Sequence, residues 1–172
     1  YETNISALKN AKKIIKETKC DAVKLEGGKK IIKQIKFLIK NNIPVMGHLG
    51  LLPQTAKGKF KSKGKTSKEI KQLLYDALLL QNEGVFAVVL ECIKTSVAKK
   101  ITNNLDIPTI GIGSSVFCDG QVLVTDDLLG INDTKIRFVK KFVNMKKYIN
   151  LGLKKFTSEV KAKKFPTKKY SY

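Results

Sequence analysis

Five apolar runs along the chain each break off at a polar or glycine-rich end: AVKLEGG (22–28), IPVMGHLG (43–50), VFAVVLEC (85–92), IPTIGIG (107–113) and GQVLVTDD (120–127). Segments with apolar residues at helical spacing separate most of them, as in 29–40, where Ile31, Ile32, Ile35, Leu38 and Ile39 share a side and lysines the other. Alternating strands and helices predict an α/β fold with a parallel sheet. The near-continuous VFAVVL is what a strand buried on both faces looks like. Two closures satisfy this pattern, an open doubly wound sheet or part of a (β/α)₈ barrel, and spacing alone does not choose between them.

Helix signals mark the rest of the chain. Thr3 or Asn4 is placed to cap a first helix, and Thr66 or Ser67 a long one ending near Asn82, with Glu69 in its first turn and Gly84 at the left-handed C-terminal position. A further helix is expected over 96–105 and helical patterns over most of 136–163. A shorter strand, QVLVT, leads to Asp126 and Asp127, which read as a cap for the helix after them. The loop 58–65 is rich in glycine and lysine and carries one aromatic, Phe60. The chain reads as a single domain over 1–172, with 164–172 a frayed tail.

Composition narrows the function classes. Of the 34 basic residues only Arg137 is arginine, so the formal charge of +20 is lysine charge. Guanidinium groups, the residues of bidentate base recognition, are nearly absent, and the lysines are scattered over most helices. Lysine decorating an ordinary fold is favoured over a polyanion-binding surface, and either would attract an anionic substrate. Three cysteines, Cys20, Cys92 and Cys118, form no close pair and argue against a disulfide framework. No apolar stretch approaches the ~18 residues of a membrane span, and no signal-peptide pattern is present. A cytoplasmic location with reduced thiols follows as an expectation.

Ionisable residues at three of the strand ends are the candidates for chemistry. Lys24 and Glu26 lie two apart in an extended segment, so both face one side while Val23 and Leu25 face the other. They read either as a cation for a carboxylate or enolate beside a metal-facing carboxylate, or as a salt bridge at a strand end. Gly27 and Gly28 allow a substrate or another backbone to come close. His48, the one histidine, sits between Gly47 and Gly50; it reads as a hydrogen-bonded structural residue or as a group that exchanges a proton near neutral pH. Glu91 is the sharpest signal, because five apolar residues precede it and an unpaired buried carboxylate is costly. It must sit at the mouth, be paired, or have a raised pKa suited to a general base. Cys92 alternates to the opposite face and reads as packing. The GIG at 111–113 matches no dinucleotide or phosphate-loop fingerprint, and no Ser-His-Asp set or tight metal-ligand cluster stands out.

Taken together, VKLEGG, PVMGHLGLLPQ, VVLEC and IPTIGIGSSVFCDGQVLV resemble, in order and spacing, the ketopantoate hydroxymethyltransferase family, and EVKAKKFP resembles its closing helix and turn. The resemblance runs from the first helix to the tail. It implies a (β/α)₈ TIM barrel of the phosphoenolpyruvate/pyruvate type, with this chain as about its last five strands. It implies transfer of a hydroxymethyl group from 5,10-methylenetetrahydrofolate to 3-methyl-2-oxobutanoate, with Mg²⁺ chelating the keto acid and stabilising its enolate. Position by position, Lys24 resembles the substrate-binding lysine, Glu26 the acidic residue at the metal, Glu91 the proton acceptor and His48 a site histidine near the incoming hydroxymethyl group.

The same resemblance places two metal-ligating aspartates on strands before Tyr1, making these 172 residues alone inactive and poorly stable. It also implies a homo-oligomer, decameric in the family, with neither nucleic acid nor membrane as partner. Two departures stand out: the loop from Gln54 to Lys65 is shorter and richer in lysine than the usual version, and Leu52 stands where threonine is common. Two other classes compete: a different metal-dependent keto-acid lyase or mutase on the same barrel, and a lysine-rich nucleic-acid binder.

Overall fold

The computed structural model describes residues 1–56, 61–133 and 135–172. Part of the glycine- and lysine-rich segment, including Gly58 and Phe60, lies outside the described residues. By its internal contacts the chain groups into two compact units, Tyr1–Val122 and Leu123–Tyr172.

The first unit alternates helix and strand: α1 (Asn4–Thr18), β1 (Val23–Glu26), a 3₁₀ turn (Lys29–Ile31) running into α2 (Ile32–Lys40), β2 (Val45–Gly50), α3 (Ser67–Asn82), β3 (Ala87–Glu91), α4 (Thr95–Thr102), β4 (Thr109–Ile112) and β5 (Gly120–Gln121). Helix α1 starts where a reciprocal cap forms, with Thr3 Oγ1 accepting from Ser6 N–H and Ser6 Oγ from Thr3 N–H. Thr66 and Glu69 do the same for α3, and the Glu69 carboxylate also takes the Lys65 N–H. That main-chain donor from Lys65 is the largest cause holding the Glu69 carboxyl below its ordinary pKa. Gly84, at φ +91°, turns the chain out of α3 as expected.

Among the described residues all strand pairs are parallel, and the spatial order β1-β2-β3-β4-β5 is the sequence order. A doubly wound sheet reverses direction at a switch point, whereas a barrel wall adds each strand beside the last. This sheet never reverses, so the five strands form an arc of a β/α barrel. That decides the closure which sequence spacing leaves open.

Register assigns the two faces. Glu26 pairs with His48, His48 with Val89, Gly50 with Glu91, and Glu91 with Ile112. Residues 24 and 26, 46, 48 and 50, 87, 89 and 91, and 110 and 112 therefore share one face. The opposite face, from Leu25, Val45, Leu49, Val88 and Leu90, packs against Ile35 and Leu38 of α2, Leu73, Ala77 and Leu80 of α3, and Val97, Ala98 and Ile101 of α4. Gly47 lets α3 come close, since a Cβ there would meet Leu80 Cδ1 at 2.9 Å. The core thus lies between sheet and helices. Truncating fully buried Leu80 to alanine is worth about 2–5 kcal/mol.

The fifth strand is shorter than QVLVT suggests. Only Gly120 and Gln121 pair with Ile110 and Gly111, and Val122 N–H adds one further bond to the Gly111 carbonyl. Strand β4 stops at Ile112, level with Val122, and Gly113 at φ +58° turns away, so the ladder ends with that bond. Val122 and Val124 are accordingly half exposed.

The second unit holds a short helix α5 (Thr125–Leu128) and α6 (Met145–Lys161). Asp126 and Asp127 do not cap α5: Val124 takes the cap position, with no side-chain bond, and the aspartates lie in the first turn, where their charge favours the helix dipole. The helical pattern expected over 136–163 becomes helix only from Met145, where Asn144 accepts the Lys147 N–H as cap. After α6, Lys164 N–H returns to the Glu159 carbonyl and Phe165 meets Phe156 edge-on at 5.5 Å.

Candidate active site at the strand tips

The four residues singled out in the sequence meet on the open face of β1, β2 and β3. Lys24 Nζ lies 3.0 Å from His48 Nδ1 and 3.9 Å from Glu26 Oε1. His48 Nδ1 is 3.7 Å from Glu26 Oε1, and on the other side of the ring Nε2 is 3.2 Å from Glu91 Oε2. Three strands thus bring a cation, an imidazole and two carboxylates into one chain of contacts.

Local sequence explains the geometry. Lys24 and Glu26 share a face because strands alternate, and Glu26 and His48 are directly opposite in register. Glu91 pairs with Gly50, which has no side chain, and the Glu91 carboxylate reaches back past that gap to His48. Gly50 is held at φ +102°, and an added Cβ would sit 2.1 Å from the Glu91 carbonyl oxygen. Both the conformation and the close approach require glycine there.

Burial separates the four. The His48 and Glu26 side chains are 2% and 4% exposed, Glu91 is 13% and Lys24 is 41%. Of the three outcomes open to Glu91, the structure shows the first: it lies near the mouth, with His48 Nε2 3.2 Å away but not aligned for a hydrogen bond. Its position at the last residue of β3 keeps water in reach while the apolar run behind it stays dry.

Glu26 is held from several directions. Its Oε2 accepts the Gln54 N–H at 3.0 Å, and its main-chain N–H and carbonyl both meet the Tyr1 hydroxyl at 3.3 Å. Gln54 Oε1, at 3.2 Å, is the alternative acceptor for the single Tyr1 hydroxyl proton, so the turn after β2 is tied to the tip of β1. Sequence reasoning did not find Gln54 or Tyr1, because a main-chain donor on a loop leaves no periodic signature. Gly28, expected to admit a ligand or backbone, is instead filled by a side chain: a Cβ there would meet Asp76 Cγ at 2.2 Å. Asp76, from α3, accepts the Lys29 N–H.

Among the described residues no three His, Cys, Asp or Glu side chains converge to hold a metal ion. Glu26 has one oxygen taken by the Gln54 N–H and the other turned toward the Lys24 ammonium at 3.9 Å, a poor arrangement for direct ligation and one that suits a water-mediated contact. These residues by themselves do not fit a divalent-cation cage.

Cys92, the residue after Glu91, has φ +52° and donates its N–H to the Ile112 carbonyl. Burial first, and then the neighbouring Glu91 charge, push its thiol pKa up, so it stays a protonated thiol at neutral pH. It is unsuited to act as a nucleophile, in line with the packing role read from the sequence. The segment at Lys63 adds to the tip of β3: Lys63 N–H bonds the Cys92 carbonyl and Lys94 N–H the Lys63 carbonyl. Lys61 and Lys63 line an open cavity of about 670 Å³ beside Gly50, Leu51 and Thr55. No helix among the described residues is long and apolar enough to cross a membrane.

A family model for ketopantoate hydroxymethyltransferase matches residues 1–168. The 3-methyl-2-oxobutanoate hydroxymethyltransferase of Pelagibacter ubique is 60% identical over 172 residues, covering 100% of this chain and 66% of that protein. The enzyme of the same name from Clostridium botulinum strain 657 is 46% identical over 176 residues, covering 100% of this chain and 64% of its own. That of Sinorhizobium medicae is 45% identical over 168 residues, covering 96% and 62%. The chain spans just under two thirds of the length of these curated relatives.

Proposed function

The chain belongs to the ketopantoate hydroxymethyltransferase family, and from that premise we propose that the protein transfers the one-carbon unit of 5,10-methylenetetrahydrofolate to 3-methyl-2-oxobutanoate, with water supplying the new hydroxyl, giving 2-dehydropantoate and tetrahydrofolate. The observation that carries this reading is the contact chain from Lys24 through His48 to Glu91 at the mouth of the strand arc.

The reaction needs a proton removed from C3 of the keto acid, and a carbon nucleophile then directed at the one-carbon donor. Glu91 is the base: a carboxylate at the end of an apolar strand, partly desolvated and reachable from solvent. Lys24, the most exposed of the four, presents an ammonium to the keto acid carboxylate and to the oxygen that becomes negative in the enolate. Glu26 balances that charge from the buried side and, through Gln54, ties down the turn after β2. His48 lies between the cation and the base and keeps them a fixed distance apart.

Mg²⁺ belongs to the proposal as the group that lowers the energy of the enolate when bound. Glu26 would face it through water, and no step above depends on it. A homo-oligomer and a cytoplasmic location are proposed on the same family footing.

The test is formation of 2-dehydropantoate by the full-length protein, dependent on methylenetetrahydrofolate. Turnover of the keto acid to a cleaved or rearranged product without the folate would replace this reading with a lyase or mutase on the same barrel.

A further inference from the structure

His48 is 2% exposed, and its two ring nitrogens meet opposite kinds of neighbour. A lysine ammonium has three N–H donors and no lone pair, so a 3.0 Å contact from Lys24 Nζ to Nδ1 is a hydrogen bond only if Nδ1 carries no proton. The one acceptor that a protonated Nδ1 would have is Glu26 Oε1, at 3.7 Å, beyond hydrogen-bond reach. Both the Nδ1–H tautomer and the doubly protonated ring would turn an N–H against the ammonium. The remaining form is neutral, with its proton on Nε2.

That Nε2 is buried and turned toward Glu91. It lies 3.2 Å from Glu91 Oε2, yet the alignment makes no proper hydrogen bond, so it is a buried polar atom without a partner. Orphaned buried donors are rare and costly, and this one is turned toward the carboxylate at the mouth without bonding it, which leaves its proton for a ligand oxygen that comes up against Glu91. We propose that Lys24 fixes His48 as the neutral Nε2–H tautomer, making His48 a hydrogen-bond donor to a substrate oxygen, shared with Glu91, and not a proton acceptor. Lys24 is then a positioning residue for the ring as well as a charge for the substrate. The oxygen class that suits this donor is a carbonyl, alkoxide or enolate on the ligand, next to the carbon that Glu91 deprotonates. The substrate half of this inference rests on the function proposed above; the tautomer half does not.

The test is proton-detected ¹⁵N spectroscopy of histidine-labelled full-length protein at neutral pH, with the His48→Gln variant identifying the ring. The expected spectrum has the proton on Nε2 and an acceptor-type Nδ1, and that Nε2–H resonance moves when 3-methyl-2-oxobutanoate is added. In Lys24→Met the Nδ1–H tautomer grows in at the expense of Nε2–H, and Lys24→Arg, which keeps a donor, restores it. A proton on Nδ1 of this ring in the unmodified protein overturns the proposal. An unchanged tautomer in a folded Lys24→Met overturns the role of Lys24. If the tautomer is as expected but the keto acid leaves the resonance unmoved, the donor role and the substrate assignment fail while the tautomer stands.

Discussion

The Nζ of Lys24 lies 3.0 Å from Nδ1 of His48, one strand over and diagonal to it in register, since Lys24 pairs with Met46 and His48 with Glu26. The two strand-end signals that look separate in the sequence are therefore one unit. Replacing Lys24 by methionine removes the ammonium while keeping length. The expected result is a raised KM for 3-methyl-2-oxobutanoate together with a lowered kcat, so that kcat/KM falls at least about tenfold, or ~1.4 kcal/mol. Steady-state kinetics on the full-length protein checks this, and a change in KM alone would assign Lys24 to binding only.

Gly50 to alanine is the sharpest steric test of the tip of β2. The new Cβ meets the Glu91 carbonyl oxygen, to which Leu51 N–H also bonds, and the φ of +102° is strained for any L residue. The backbone strain alone is worth about 1–3 kcal/mol. A lowered Tm with a further loss of turnover is expected. A variant with wild-type Tm and activity would show that the tip relaxes freely.

Asp119 supports the far end of the sheet. Its Oδ2 accepts from the Thr109 N–H at 2.8 Å and the Thr109 hydroxyl at 2.9 Å, and the hydroxyl of Thr109, a fully buried residue, in turn accepts from the Thr102 hydroxyl at 2.8 Å. The Thr109 N–H first, then its hydroxyl, hold the Asp119 carboxyl below its ordinary pKa. A depressed folded pKa gives stability that is present above the unfolded value of about 3.9 and lost as pH falls through the folded value. Asp119→Ala leaves a buried N–H without an acceptor, at a cost of about 1–3 kcal/mol. Denaturation midpoints should show that cost at pH 6 and a smaller gap near pH 3; a gap that does not change with pH would exclude the charged carboxylate as its source.

Cys92 should behave as an inert thiol. Its raised pKa leaves little thiolate at neutral pH, so iodoacetamide labelling is expected to be slower in the folded protein than in the urea-unfolded one, as read by mass spectrometry. Cys92→Ser should leave kcat/KM within about twofold, under ~0.5 kcal/mol. A larger loss would give the sulfur a part in the site.

Much of this architecture is legible in the sequence, for identifiable reasons. Lys24, Glu26 and Glu91 stand out because ionisable groups interrupt apolar strands, and alternation alone puts Lys24 and Glu26 on one face. Thr3 and Thr66 are legible as caps because capping uses few residue types. Register is not legible: nothing in the residues says that Glu91 lies beside Gly50 and so reaches His48. Likewise the hold of Gln54 on Glu26 is a main-chain bond, and the Thr102–Thr109–Asp119 network joins residues whose types are common on surfaces. The overlong reading of β5 has a plain cause: Val122 and Val124 alternate like strand residues, but the ladder with β4 ends at the single bond from Val122 to Gly111.

The most direct measurement is exchange of the C3 hydrogen of 3-methyl-2-oxobutanoate in deuterated water, followed by NMR with the full-length protein and Mg²⁺. Wild-type protein should exchange the hydrogen without folate, and Glu91→Gln, which keeps size but removes the base, should slow exchange by ~10²–10⁴-fold. Exchange at the wild-type rate in Glu91→Gln would contradict the assignment of Glu91 as the base at the mouth of this site.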